Sequence, residues 1–132
     1  MLLFVYGSLK KGFCNYHYMK NAKFLNKCRT KDKFTMFNLG EYPAISEEPS
    51  YQIEGELYEI ADDDLQTLQN IDELEQYPDF YDKKIIQLDS EEFAMVYYIR
   101  ENIIRTIKSA SVMSEGNWKI SDYDNFIERN KN

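Results

Sequence analysis

Leu2-Leu3-Phe4-Val5-Tyr6-Gly7-Ser8-Leu9-Lys10-Lys11-Gly12 is the stretch on which the reading of this chain turns. Leu2 to Tyr6 is an unbroken apolar, β-favouring run stopped by Gly7-Ser8, which reads as a buried strand entering a turn directly. A glycine just after a strand lets the backbone take unusual φ and aim several N–H groups the same way. Such a nest binds anions, carboxylates included. Lys10 and Lys11 add positive potential there. As a phosphate loop the stretch is poor, because no Lys-Ser/Thr pair follows Gly12. A plain strand-terminating turn explains the same residues, so spacing alone leaves both readings open.

Further along the chain, Phe13, Tyr16, Met19, Ala22 and Phe24 have a loose helical spacing, and a short helix covers part of 13–25. Lys33 to Phe37 is a second strand. Gly and Pro punctuate Gly40 to Ala44 as a loop. Tyr51 to Ile60 is a third strand, bulged at Gly55. The best helix runs from Ala61 to Leu74, capped by Asp62, with Leu65, Leu68 and Ile71 as its apolar stripe, and it stops before Pro78. Lys83–Leu88 and Phe93–Ile99 are two further strands joined by Asp89-Ser90-Glu91, the second buried on both faces. Beyond Trp118 one short helix starts at Ser121, with Trp118 as a hydrophobic anchor. Strands outnumber helices, and hairpin-like joins mix with longer crossovers, which suggests an α+β class with a mixed or barrel-like sheet.

The chain has 132 residues, with 16 Lys plus Arg against 23 Asp plus Glu and a net charge of −7. That length suits one domain over 1–132 with a polar tail. The acidic balance argues against a nucleic-acid partner, whose affinity comes from neutralised phosphates. The aromatic content, 11 Tyr, 8 Phe and 1 Trp, argues against disorder. Cys14 and Cys28 are too few for a disulfide scaffold, and His17 alone supports no His-rich metal site. The apolar runs are far shorter than the ~20 residues of a membrane span, and the first residues lack a signal-peptide pattern. The expectation is a reduced, soluble, cytoplasmic protein.

Asp72-Glu73-Leu74-Glu75-Gln76-Tyr77-Pro78-Asp79-Phe80-Tyr81 places carboxylates just past a helix among large aromatics. Aromatic walls strip solvent from a carboxylate, and neighbouring carboxylates oppose its ionisation. Both raise its pKa towards the value a general base needs near neutrality. Leu74 continues the apolar stripe, so Glu73 and Glu75 leave it on opposite sides, one free to enter a pocket while the other faces water. A solvated acidic loop with aromatic anchors also fits this pattern. Elsewhere the chemistry is thin. Cys14 and His17 lack a third partner, Ser8 is in no Gly-x-Ser-x-Gly elbow, and Asp62-Asp63-Asp64 lacks the spacing of a calcium loop. No Gly-x-Gly-x-x-Gly is present, so no dinucleotide is implied.

Phe4-Val5-Tyr6-Gly7-Ser8-Leu9-Lys10-Lys11-Gly12 resembles the N-terminal signature of the γ-glutamylcyclotransferase-like superfamily. The likeness continues in order through Tyr42-Pro43-Ala44, Gly55-Glu56-Leu57-Tyr58-Glu59-Ile60, and Asp72-Glu73-Leu74-Glu75 followed by Tyr81 and Lys83. It covers residues 1–100, the core. The extension over 101–132, with Glu115-Gly116-Asn117-Trp118 and Asp122-Tyr123, is similar to small bacterial members and γ-glutamylamine cyclotransferases. The resemblance implies a mixed, barrel-like sheet flanked by helices. It implies release of 5-oxoproline and a free amine or amino acid when the α-amine of a γ-glutamyl group attacks its own γ-carbonyl. Tyr6, Gly7, Ser8 and Leu9 match the substrate-holding loop, with Ser8 where many members have Thr, and Glu75 matches the catalytic carboxylate. A small γ-glutamyl compound is the expected partner, with no metal, cofactor, nucleic acid or membrane. Two alternatives remain, a non-catalytic binding module of the same fold and a γ-glutamyl deprotecting enzyme of secondary metabolism. The sequence specifies neither the leaving group nor the oligomeric state, nor which of Tyr81, Tyr97 and Tyr98 lines the pocket.

Overall fold

The computed structural model describes residues 1–122. The expected strand at the start forms as β1 (Leu2–Val5), and it lies in the middle of a five-stranded sheet. That sheet also holds β2 (Lys23–Arg29), β5 (Glu54–Glu59), β6 (Tyr81–Gln87) and β7 (Phe93–Ile99), in the order β2-β5-β1-β7-β6. β1 runs antiparallel to β5, with Leu3 opposite Tyr58, and parallel to β7, with Leu3 opposite Met95. A second sheet has the order β4-β3-β8, from β4 (Pro43–Tyr51), β3 (Phe34–Asn38) and β8 (Ser111–Val112). The helices are α1 (Leu65–Leu74) and α2 (Glu101–Ile104), with a 3₁₀ turn at Tyr16–Met19. The chain is therefore α+β, with a sheet-dominated core and few helices.

The unbroken apolar run of β1 has a simple cause. Leu3 and Val5 enter one core cluster with Tyr58, Ile71 and Tyr97, while Phe4 enters another with Met36, Leu57 and Trp118. Both faces of the strand are covered, so no position is left for a polar side chain. Burying each of Leu3, Phe4 and Val5 contributes about 1.5–3 kcal/mol, which fixes the register of the strand that ends at Gly7.

Several expectations change. The helical spacing over 13–25 yields only the 3₁₀ turn, and 23–25 already belong to β2, an edge strand whose side chains are mostly exposed. Pro43 and Ala44, expected in a loop, open β4 instead; a proline is tolerated as the first residue of a strand. The bulge falls in β2, between Phe24 and Asn26, and Gly55 pairs regularly with Cys28. Gly55 is needed for close approach, since a Cβ there would collide with the Val5 carbonyl oxygen. α1 starts at Leu65 rather than Ala61. Its cap is Asp64, which accepts from the Thr67 N–H at 3.1 Å and from the Thr67 hydroxyl at 2.6 Å. Asp62 pairs with the N-terminal ammonium at 3.0 Å. Leu65 is exposed, so the buried stripe runs through Thr67 and Ile71, with Leu68 and Leu74 against the core. Phe93 is exposed at the start of β7 although the strand beyond it is buried. Trp118 is buried against the second cluster. Residues 120–122 are helical, and the rest of the expected tail helix lies outside the described residues. Among the described residues no helix is long and apolar enough to cross a membrane.

Candidate active site

Two chain ends converge on one cavity of about 220 Å³: the turn that follows β1 and the C-terminus of α1. Tyr6, Gly7, Ser8, Leu9 and Glu75 all line it, so all five residues singled out from the sequence meet there. Glu41 is the other charged residue in the lining, which contains no Lys, Arg or His.

The turn is shaped by its neighbours. Gly7 does not adopt a left-handed φ; that conformation occurs at Gly12, where φ is 90°. Gly7 is required because a Cβ there would lie 2.9 Å from both Cδ and Cγ of Pro43. The Lys10 N–H donates to the Gly7 carbonyl at 3.0 Å and closes the turn. Asn15 braces Ser8 twice, its N–H on the Ser8 carbonyl at 3.0 Å and its Nδ2 on Oγ at 2.9 Å. Among the described residues the N–H groups of Gly7, Ser8 and Leu9 make no turn or loop hydrogen bond, so they are available to an anion.

The lysines point elsewhere. Lys10 is buried, and its ammonium donates to the Trp118 carbonyl at 2.6 Å and lies 4.8 Å from the centroid of the Phe13 ring. Burial pushes the Lys10 ammonium down, with Glu56 opposing. The Lys11 N–H donates to Glu56 Oε1 at 2.9 Å, and the same oxygen accepts from the Tyr58 hydroxyl at 2.9 Å. Both lysines line a separate groove with Trp118. They tie the loop to the tail and to β5, and the expected positive potential at the cavity is not supplied by them.

Glu75 owes its position to how α1 ends. It is the C-cap, and Gln76 follows with φ at 53°. The Tyr77 N–H donates to the Asp72 carbonyl at 2.9 Å and the Gln76 N–H to the Glu73 carbonyl at 3.2 Å. That pair of bonds is the Schellman closure, with glutamine in the place usually taken by glycine. Glu73 faces solvent and Glu75 turns into the cavity, so the two diverge as the stripe through Leu74 required. Burial first, then the charge of Asp72, push the Glu75 carboxyl up from 4.5 to about 7. The negative end of the helix dipole acts in the same direction. Among the described residues no group donates a hydrogen bond to this carboxyl.

The walls are aromatic. Phe80 and Tyr81 meet edge to face at 5.0 Å, and Tyr42 meets Phe80 at 6.4 Å. The Tyr81 hydroxyl donates to the Pro43 carbonyl at 2.6 Å. The Tyr6 hydroxyl donates to the Tyr97 carbonyl at 2.8 Å and accepts from the Ile45 N–H at 3.3 Å. Tyr6 thus joins β7 to β4, and its phenol is already committed. Burial pushes Tyr6, Tyr81 and Tyr97 up, so these phenols stay neutral. Of the three tyrosines left open by the sequence, Tyr81 and Tyr97 line the cavity and Tyr98 does not. Asn15 and Glu41 were not anticipated as site residues. Neither carries a local signal, because only the tertiary fold brings them to Glu75, whereas Phe80 is one of the aromatics the sequence places beside the carboxylates. Among the described residues no three His, Cys, Asp or Glu side chains converge as a metal site requires. The arrangement offers backbone donors for a carboxylate, a carboxyl able to exchange a proton near neutrality, and apolar walls between them.

Residues 3–120 match the family described as Gamma-glutamyl cyclotransferase, AIG2-like. A Methanocaldococcus jannaschii protein provisionally named a gamma-glutamylcyclotransferase is 44% identical over 106 residues, spanning 76% of this chain and 85% of that one. Gamma-glutamylaminecyclotransferase A of Danio rerio is 39% identical over 111 residues, spanning 72% of this chain and 66% of that one. The crystal structure of a Mus musculus AIG2-like protein superposes with a TM-score of 0.65 at 25% identity, covering 74% of this chain and 75% of that one.

Proposed function

The chain belongs to the gamma-glutamyl cyclotransferase, AIG2-like family, and on that footing we propose that it releases 5-oxoproline from a small γ-glutamyl amide with Glu75 as the proton carrier. The reaction is internal to the substrate. The α-nitrogen forms a bond to the γ-carbonyl carbon, the amide bond to the leaving amine breaks, and no separate nucleophile is required. Holding the glutamyl chain folded with its amine beside its carbonyl lowers the entropic part of the barrier.

The N–H groups of Gly7, Ser8 and Leu9 hold the α-carboxylate, and the Ser8 hydroxyl, with Asn15 on one lone pair, is free to donate to it. Glu75 as carboxylate removes a proton from the α-ammonium, and as carboxylic acid returns that proton to the departing nitrogen. The second proton, shed by the α-nitrogen as it becomes the lactam N–H, ends on the released amine, which leaves as its ammonium, so the protons balance. The observation that carries the proposal is the meeting of the Tyr6–Leu9 turn and Glu75 in one cavity, and burial, which pushes the Glu75 carboxyl up to about 7, suits it to both roles. The neutral aromatic wall that includes Tyr42, Phe80 and Tyr81 suits an uncharged or apolar part of the leaving group.

The test is a product assay with a γ-glutamyl alkylamine, γ-glutamyl-ε-lysine, γ-glutamyl amino acids and glutathione. Formation of 5-oxoproline and free amine in equal amounts supports the reading. Glutamate in place of 5-oxoproline means hydrolysis and contradicts it. Stabilisation by 5-oxoproline without turnover of any substrate identifies a binding module instead.

A further inference from the structure

Behind Glu75 stands a second carboxylate that does not line the cavity. Asp72 lies three residues before Glu75 on α1, so the two project from neighbouring positions on one face. Its oxygens are gripped from the far side. The Tyr97 hydroxyl donates to Oδ1 at 2.5 Å, and the Lys83 ammonium lies 3.0 Å from Oδ1 and 3.1 Å from Oδ2. Lys83 in turn sits 4.2 Å from the centroid of the Tyr77 ring. The side chains of Lys83 and Asp72 are 17% and 24% exposed, against 53% and 59% for the surface pair of Lys119 and Glu115. Asp72 also accepts the backbone bond from Tyr77 that closes the helix end carrying Glu75.

The ionisable groups around Glu75 come from every neighbouring element. Asp72 is on α1, Tyr6 follows β1, Glu41 and Tyr42 precede β4, Tyr81 is on β6 and Tyr97 on β7, with Lys83 of β6 behind Asp72. Tyr97 is among the residues lining the cavity, and its hydroxyl binds Asp72.

We infer that Asp72 is a positioning residue of the reaction, its carboxylate fixed by Lys83 and Tyr97 so that its charge sets how readily Glu75 accepts the substrate's ammonium proton. The inference rests on Glu75 as the proton carrier. A fixed negative charge beside Glu75 opposes a second one and favours the protonated carboxyl. The stronger base that results takes the ammonium proton more readily and still returns it to the leaving amine. Asparagine at 72 keeps an oxygen for the Tyr97 hydroxyl and removes the charge. It also leaves Lys83 uncompensated, which acts in the same direction.

The experiment follows the Glu75 carboxyl by carbon-13 NMR across the neutral range, its resonance identified by its loss in Glu75→Gln. The same pH series is run for kcat/KM, with release of 5-oxoproline as the readout. Asp72→Asn moves the NMR midpoint and the acid limb of kcat/KM down together by about one pH unit or more. Glu73→Gln, a charge removed from the solvent face of the same helix, leaves both in place. Asp72→Asn/Lys83→Met removes both charges, guards against misfolding from an unpaired lysine, and moves the midpoint down by less. A midpoint unchanged in a folded Asp72 variant, or moved as far by Glu73→Gln, overturns the inference. If the wild type releases no 5-oxoproline, the proposed function falls, and the NMR midpoints still decide whether Asp72 governs Glu75.

Discussion

Replacing Glu75 by glutamine should make the protein more stable at neutral and alkaline pH while removing its activity. In the unfolded chain Glu75 titrates near 4.5, and in the fold near 7. Between those values the native state holds a proton that the unfolded chain has lost, so wild-type stability falls as pH rises through the interval. The contribution of this group is complete below about 4.5 and gone above about 7. A rise of 7 − 4.5 = 2.5, at about 1.4 kcal/mol for each pH unit, comes to roughly 3 kcal/mol. Glutamine has a similar shape and no charge to desolvate, so the variant lacks this slope. Urea unfolding of both proteins over a pH series reads the difference directly, because groups common to the two cancel. The variant should gain about 3 kcal/mol on the wild type between the acid and alkaline ends, with m unchanged. A stability difference that stays constant across the interval would refute the assignment of Glu75 as a buried carboxyl that resists ionisation.

Four further substitutions test the framework of the site. Gly7→Ala forces a Cβ against the Pro43 ring, so unfolding should show a loss of about 1–3 kcal/mol and KM should rise as the loop is displaced. Asp64→Ala removes the cap of α1 and leaves the buried Thr67 hydroxyl unpaired; it should cost about 1–3 kcal/mol in urea unfolding. Asp62→Ala, by contrast, should leave the midpoint in place. Gln76→Gly relieves a left-handed residue at the helix end and should raise stability by about 0.5–1 kcal/mol, read as a higher urea midpoint.

The parts of the fold visible in the sequence are those where burial writes a pattern. β1 is continuous because both its faces are covered, and β6 with β7 form the expected hairpin. The elements missed are those where exposure erases the pattern. β2 is an edge strand of mostly polar residues, and β4 begins at a proline and ends in the exposed run 47–50. Asp62, Asp63 and Asp64 are equivalent as caps in composition, and only the position of Thr67 selects Asp64. At the site, the stripe through Leu74 placed Glu73 and Glu75 on opposite sides without saying which enters the cavity, and only the family resemblance singled out Glu75. The role of Gly7 was anticipated for the wrong reason, since Pro43 lies 36 residues away in sequence and nothing local announces that contact. Lys10 read as a cavity cation, and only the buried carbonyl of Trp118 shows where its ammonium goes. Tyr81 and Tyr97 could not be told from Tyr98 until β6 and β7 were set in register.

The proposed mechanism stands on Glu75 carrying the proton in an intramolecular cyclisation held by the turn from Tyr6 to Leu9. Its decisive test is single-turnover formation of 5-oxoproline, compared between wild type and folded Glu75→Gln on the best substrate of the panel. The mechanism predicts 5-oxoproline and free amine in amounts stoichiometric with bound substrate from the wild type and none above background from the variant. Equal 5-oxoproline formation by the two proteins would contradict it.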